Sequence, residues 1–297
     1  MTTWSTSAAR ETRERARQSH RRRVAIDLVV TYSVLIAGSL LFMIPFLWML
    51  SSSLKTKPEV FIFPPRPFPQ VFQWHNYRDA LTAAPFARYF TNSVYVALTT
   101  VLGTTLASSM VGYGFACVRG RGSGTLFALV LATMMLPSQV TMIPMYIMFS
   151  KVGWVNTYLP LIVPNFAGSP FNIFLFRQFF RGIGPEIRDA ARIDGCNHWG
   201  LYWRIIMPIS TAAVATVAIM AFMWSWNNFL GPLIYLNSQK LYTVPLGLAM
   251  FRAYYPSETP WHWLMAASVV AVSPLIVLFF FAQKAFIQGI VVTGVKG

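Results

Sequence analysis

Acidic side chains are the scarcest feature of this sequence: nine Asp and Glu in 297 residues, against 24 Lys and Arg. Charged residues make up 11% of the chain, where a soluble domain carries about 25%. With 55% hydrophobic residues and a mean hydropathy of +0.51, the composition excludes a disordered chain and points away from an ordinary soluble enzyme. No charge at all occurs in 28–54, 89–118, 122–150, 152–176 and 205–239, and 253–283 holds only Glu258. The middles of these runs contain no Asp, Glu, Lys, Arg or His, which argues against a carboxylate proton relay and against HExxH-type or aspartyl catalysis within a membrane. Sodium held by carbonyls alone stays compatible with them. A Gly-rich phosphate loop ending in Lys-Ser/Thr is also missing. The nearest stretch, GRGSGT at 120–125, has no lysine, so ATP is not bound by that route.

What is present is apolar length. A membrane-spanning helix needs about 20 predominantly apolar residues. The sequence therefore predicts an all-α integral membrane protein with six transmembrane helices near 28–50, 90–115, 125–149, 155–177, 208–236 and 263–284. Pro160, Pro164 and Pro170 interrupt the fourth, which places it inside a bundle where neighbours satisfy the freed carbonyls. The first run is too long for a signal h-region and is read as a retained helix behind a basic tail, residues 1–27. The remainder, 28–297, reads as one six-span domain.

Lys and Arg number seven in the tail, two in 116–124, five in 177–207 and two at the C-terminus, sixteen in all, against eight on the alternate side. The positive-inside rule then places both termini in the cytoplasm of a multi-pass protein. The net charge of +15 is thus read as membrane orientation and contact with anionic lipid of the bilayer. No stacking-aromatic pattern accompanies the basic tail, so no nucleic-acid partner is expected. Cys117 and Cys196 both fall on the reducing side and lack the further ligands a zinc site needs.

Neutral polar and aromatic groups within the spans are candidates to line a translocation path: Asn92, Ser93, Gln139, Asn165, Asn172, Gln178 and the cluster Trp224, Ser225, Trp226, Asn227, Asn228. Amides hydrogen-bond hydroxyls in both directions, and aromatic faces suit the apolar faces of sugar rings. Polar glue between helices is the alternative.

The segment between the fourth and fifth runs reads PEIRDAARIDGCNHWGLYWRIIMP over 185–208. Pro185 suits a first helical turn, and Glu186 and Asp189 favour its positive end. Gly195 permits a sharp turn at low steric cost. A second helix from about Asn197 leads through Ile205 to Pro208. Such a helix-Gly-helix element suits docking of a soluble partner or, equally, lying in the membrane interface.

Its spacing resembles the EAA loop of bacterial ABC importer permeases: Asp189-Ala190-Ala191, Gly195, Ile205 and Met207-Pro208 keep every interval, with Asp189 in place of Glu and Met207 in place of Leu. Asp194 before Gly195 is similar to the carbohydrate branch. Beyond the loop, Ser53-Leu54-Lys55, Asn76-Tyr77, Asn92-Ser93, Leu136-Pro137, FLFRQFF at 174–180, Trp226-Asn227 and Val295-Lys296-Gly297 resemble MalG-like permease subunits. The resemblance implies a non-catalytic subunit of the bacterial inner membrane that binds no cofactor itself. Its implied partners are a second, MalF-like permease, two copies of an ABC ATPase that uses the ATP, and an extracytoplasmic solute-binding protein. It further implies an ATPase-coupling loop, 181–208, carried by Glu186, Asp189, Ala190, Ala191, Asp194, Gly195, Ile205 and Pro208: Asp189 and Asp194 offer charge to the ATPase, Gly195 shapes the lever, and Ile205 with Pro208 fixes it to the fifth span. A tail contact through Lys296 and Gly297 is implied as well. A non-sugar solute such as a phosphorylated polyol or polyamine is the nearest alternative. A stand-alone channel or ion-coupled carrier is the alternative of another class.

Overall fold

The computed structural model describes residues 4–118, 120–254 and 259–294, with side chains over 26–118, 120–253 and 259–283. Every regular element among the described residues is helical, as lipid demands of a backbone that must satisfy its own polar groups. α1 is Trp4–Ser53, α2 His75–Ala83, α3 Phe86–Cys117, α4 Ser123–Thr133 and α5 Ser138–Lys151. A short α6, Leu159–Ile162, passes through the 3-10 turn Val163–Ala167 into α7, Pro170–Gly182. Then come α8, Pro185–Ile193, α9, His198–Ile209, and α10, Thr211–Trp226. The last three are α11, Leu230–Tyr235, α12, Val244–Tyr254, and α13, Trp261–Gly294.

Among the described residues, four segments are long and apolar enough to cross a membrane: Ile26–Ser53, Phe86–Cys117, Leu159–Gly182 and Trp261–Gln283. The run expected over 125–149 is not one straight helix, because α4 and α5 meet at 94°. Pro137 stands at that joint, lacking an amide donor and steering the residue before it away from helical geometry. The 80° bend between α9 and α10 falls at Ser210, where the loop helix is expected to give way to the run over 208–236, and the helix of that run stops after Trp226. Counting each bent pair as one crossing gives up to six. In the fourth run Pro160, Pro164 and Pro170 each sit in the first turn of a helical piece, where the missing amide costs nothing. The chain turns instead at Gly168, whose φ is +84°.

α3 is the pillar of the bundle. It packs against α7, α10 and the 159–167 turns, and its approach to α7 needs residues without side chains. A Cβ at Gly112 would stand 2.7 Å from that of Phe176, and one at Gly103 would stand 2.6 Å from the ring of Phe166. α1 is the opposite case. The apolar part of α1 touches α13 and, at its last turns, the segment that follows it, and none of its most apolar window is buried.

Beyond Ser53 the chain is knotted into a collar. Lys55 is fully buried; its Nζ donates to Arg66 O at 2.6 Å and lies 4.3 Å from the ring centre of Trp48. Burial pushes the Lys55 ammonium below its ordinary pKa, and the nearby Glu59 pulls it partly back. The buried Asn76 amide donates to Ser53 O at 2.9 Å and Lys55 O at 2.8 Å, while Glu59 accepts from Gln70 N at 2.7 Å. Phe61, Phe63, Phe68 and Trp74 are left on the outside of this collar.

Candidate functional site

The 185–209 element is built from two helices and a left-handed turn. Pro185 opens α8 with Glu186 in its first turn, where the unpaired amides favour an anion. Asp189 meets Arg192 one turn on at 3.6 Å, both exposed, so this ion pair contributes little stability. Ala191 is buried and Ala190 exposed, which sets one alanine of the pair into the bundle and the other on the surface. α8 ends as Asp194 N bonds Ala190 O at 3.0 Å, Gly195 N bonds Arg192 O at 3.0 Å and Cys196 N bonds Ala191 O at 2.9 Å. Gly195 has φ +79°, and nothing lies within 4 Å of where its Cβ would be. Glycine is therefore required there by backbone conformation, not by space. Asn197 then caps α9, its Oδ1 accepting from Gly200 N at 2.8 Å.

Along α9 the turns widen to an i→i+5 pattern over Leu201–Ile206. Leu201, Tyr202 and Ile206 are buried against Tyr113, Phe176, Phe180 and Val217, and Ile205 is half-buried beside them. Pro208 stays exposed, two residues before the bend at Ser210. The open face carries Ile187, Ile193 (87% exposed), Trp199 (62%) and Trp203, together with the exposed Glu186, Asp189 and Asp194. Trp199 and Trp203 lie edge to face with ring centres 5.9 Å apart. Sequence reasoning missed these two; their i, i+4 spacing on a helix following a cap was the available signal.

The polar residues of the spans each find a place of their own. Asn92 donates to Lys240 O and Tyr242 O, each at 2.9 Å, across 148 and 150 residues. Trp226 is buried, its indole N–H donating to Ala271 O at 3.0 Å. Asn227 donates back to Met223 O, and Asn228 accepts from Gly231 N at 3.0 Å to start α11. Asn172 is buried on α7. Gln139 and Trp224 are exposed, Trp224 by 78%. Cys117 and Cys196 are free thiols. Lys296 and Gly297 lie outside the described residues.

Residues 100–292 match the family described as "Binding-protein-dependent transport system inner membrane component". The chain belongs to that family. The permease is 36% identical to the arabinooligosaccharides transport system permease protein AraQ of Bacillus subtilis (strain 168) over 262 residues, 87% of this chain and 92% of that one. It is 31% identical to the lactose transport system permease protein LacG of Rhizobium radiobacter over 261 residues, 88% and 94% of the two chains. Its fold matches a chain from the crystal structure of a bacterial ABC transporter involved in the import of the acidic polysaccharide alginate. There the TM-score is 0.77 at 20% identity, covering 87% of this chain and 96% of the other. The protein is thus a multi-pass inner-membrane subunit of an ABC importer: a non-catalytic permease, in a family that relies on an ATPase and a solute-binding protein.

Proposed function

We propose that this permease forms half of the translocation path for a sugar or oligosaccharide, paired with a second, MalF-like permease and two copies of an ABC ATPase. An extracytoplasmic binding protein delivers the solute, and both chain termini face the cytoplasm. The observation that carries this reading is the 185–209 element: an exposed face of Ile187, Ile193, Trp199 and acidic groups on a body whose other face is locked into the bundle. That face seats on one ATPase. Closure of the ATPase pair then turns the permease as a rigid body between inward- and outward-facing states. Asp189 and Asp194 offer charge to the ATPase, and Gly195 fixes the angle between the two helices. The names of the AraQ and LacG relatives support a saccharide as solute. The tail residues Lys296 and Gly297 add a second contact to the ATPase.

The test is co-purification and uptake. The permease expressed with its cognate ATPase is expected to pull that ATPase down, and Trp199→Glu to abolish the association. Uptake in proteoliposomes should require the binding protein and follow its saccharide ligand. The permease purified alone should hydrolyse no ATP. Saturable hydrolysis in a preparation free of other subunits, or ATPase retention by Trp199→Glu, overturns the assignment.

A further inference from the structure

The coupling element joins the fifth apolar run through an 80° bend at Ser210. A lever attached at one bent joint swings about it and transmits torque poorly. Away from the joint the element is seated by the apolar contacts of Leu201, Tyr202 and Ile206, and two tyrosine hydroxyls add directional bonds to that attachment. Tyr202 on α9 is buried, and its hydroxyl lies 2.7 Å from Ser109 Oγ on α3. Ser109 Oγ is also 3.0 Å from Leu106 O, which takes its single proton, so Tyr202 is the donor of the pair. One turn further along α3, the Tyr113 hydroxyl stands 3.1 Å from His198 Nδ1 and 3.2 Å from His198 O. Both contacts are satisfied when Tyr113 donates to the carbonyl and accepts from Nδ1–H. The rings of Tyr113 and Tyr202 pack edge to face, with centres 5.3 Å apart.

At its other end α3 is fixed just as specifically. Asn92 holds Lys240 O and Tyr242 O, and Ser93 Oγ accepts from Val244 N at 2.8 Å. Asn92 and Ser109 are about 25 Å apart along the helix at 1.5 Å per residue, most of a bilayer's hydrocarbon thickness. Between them Ser108 Oγ accepts from Ser169 N at 3.0 Å, and just beyond Ser109 Gly112 brings α7 into direct contact.

We infer that Tyr202–Ser109 and Tyr113–His198 act as a strut that stiffens the bent joint and makes α3 the rod carrying coupling-element motion to the 240–244 segment across the membrane. Ser109, Tyr113, His198 and Tyr202 are positioning residues for transport. The inference rests on the proposed docking of the 185–209 element on an ATPase.

The test uses the assembled transporter in proteoliposomes and reads ATP hydrolysed, solute taken up and their ratio, for Tyr202→Phe, Ser109→Ala and the double variant. Each removes a hydroxyl and keeps the packing. Uptake per ATP is expected to fall about three- to tenfold in either single variant, the range one buried hydrogen bond commands. The ATPase stays bound and hydrolysis continues, and the double variant is no worse than a single one. Tyr113→Phe, which breaks only the His198 contact, should give the same drop and decides the matter should Tyr202→Phe fail to assemble. Unchanged uptake per ATP in intact complexes overturns the strut, as does a parallel fall of hydrolysis and uptake, the mark of a merely structural role. Absence of the ATPase from the wild-type preparation overturns the docking reading beneath it.

Discussion

Replacing Gly195 separates conformation from space, because the two make opposite predictions there. Its φ is +79°, yet no atom lies within 4 Å of an added Cβ. A side chain therefore meets no clash beyond its own backbone, and the cost is that of the left-handed region: roughly 1–2 kcal/mol for an ordinary L-residue. Asn visits that region readily, whereas a β-branched residue is an outlier in it. The expected order of damage is therefore Asn least, Ala intermediate and Val most, although Asn is larger than Ala. A cost of 1–2 kcal/mol is a factor of about 5–30 in the population of the correctly turned element. Uptake in proteoliposomes should follow that order, with Gly195→Val reduced by about that factor and Gly195→Asn near wild type. Insertion of the spans and yield of the permease should be unaffected, since a side chain at 195 points into open space. The reasoning is refuted if a folded Gly195→Val variant transports normally, or if Gly195→Asn is as impaired as Gly195→Val.

Other substitutions test the bundle itself. Gly112→Ala sets a Cβ 2.7 Å from that of Phe176 and 3.2 Å from Arg177 N, and overpacking of this kind costs about 1–3 kcal/mol. Gly114→Ala, two residues along the same helix, meets nothing within 4 Å and should match or exceed wild type, because alanine gains up to about 1 kcal/mol in a helix interior. Thermal aggregation in detergent should rank the two oppositely. Asn76→Ala strips the donors from Ser53 O and Lys55 O and should cost about 2–3 kcal/mol, read as faster protease cleavage within 56–74. Trp226→Phe loses the 3.0 Å bond to Ala271 O and should lower stability by about 1 kcal/mol or more. Its solute affinity should stay at the wild-type value, since the indole faces the protein.

The apolar runs and the motif around Gly195 were legible because each depends on neighbours in sequence. Hydropathy measures how long a segment can stay in lipid, and the spacing around a glycine fixes where two helices meet. Direction was not legible. The 94° angle of the α4–α5 joint and the 80° angle at Ser210 are settled by what packs beside them; a break near Pro208 is expected from sequence, whereas the one at Pro137 falls inside a continuous apolar run. The amides at 227 and 228, candidates to line a path, each bond backbone within their own segment, a local competition that amide side chains often win. Asn92 and Tyr202 show the converse. Their partners lie 148 and 93 residues away, and no local pattern announces them.

The collar after α1 separates two jobs among different residues. Lys55, Glu59 and Asn76 hold its shape from within through main-chain oxygens and amides, which every residue possesses. The outward rings of Phe61, Phe63 and Phe68 make none of those bonds, and Phe61 meets Trp261 edge to face instead. Evolution can thus recarve the exposed surface one residue at a time without unfastening the loop beneath it. Descendants of this sequence are free to change what they touch on that side of the membrane while keeping the same frame.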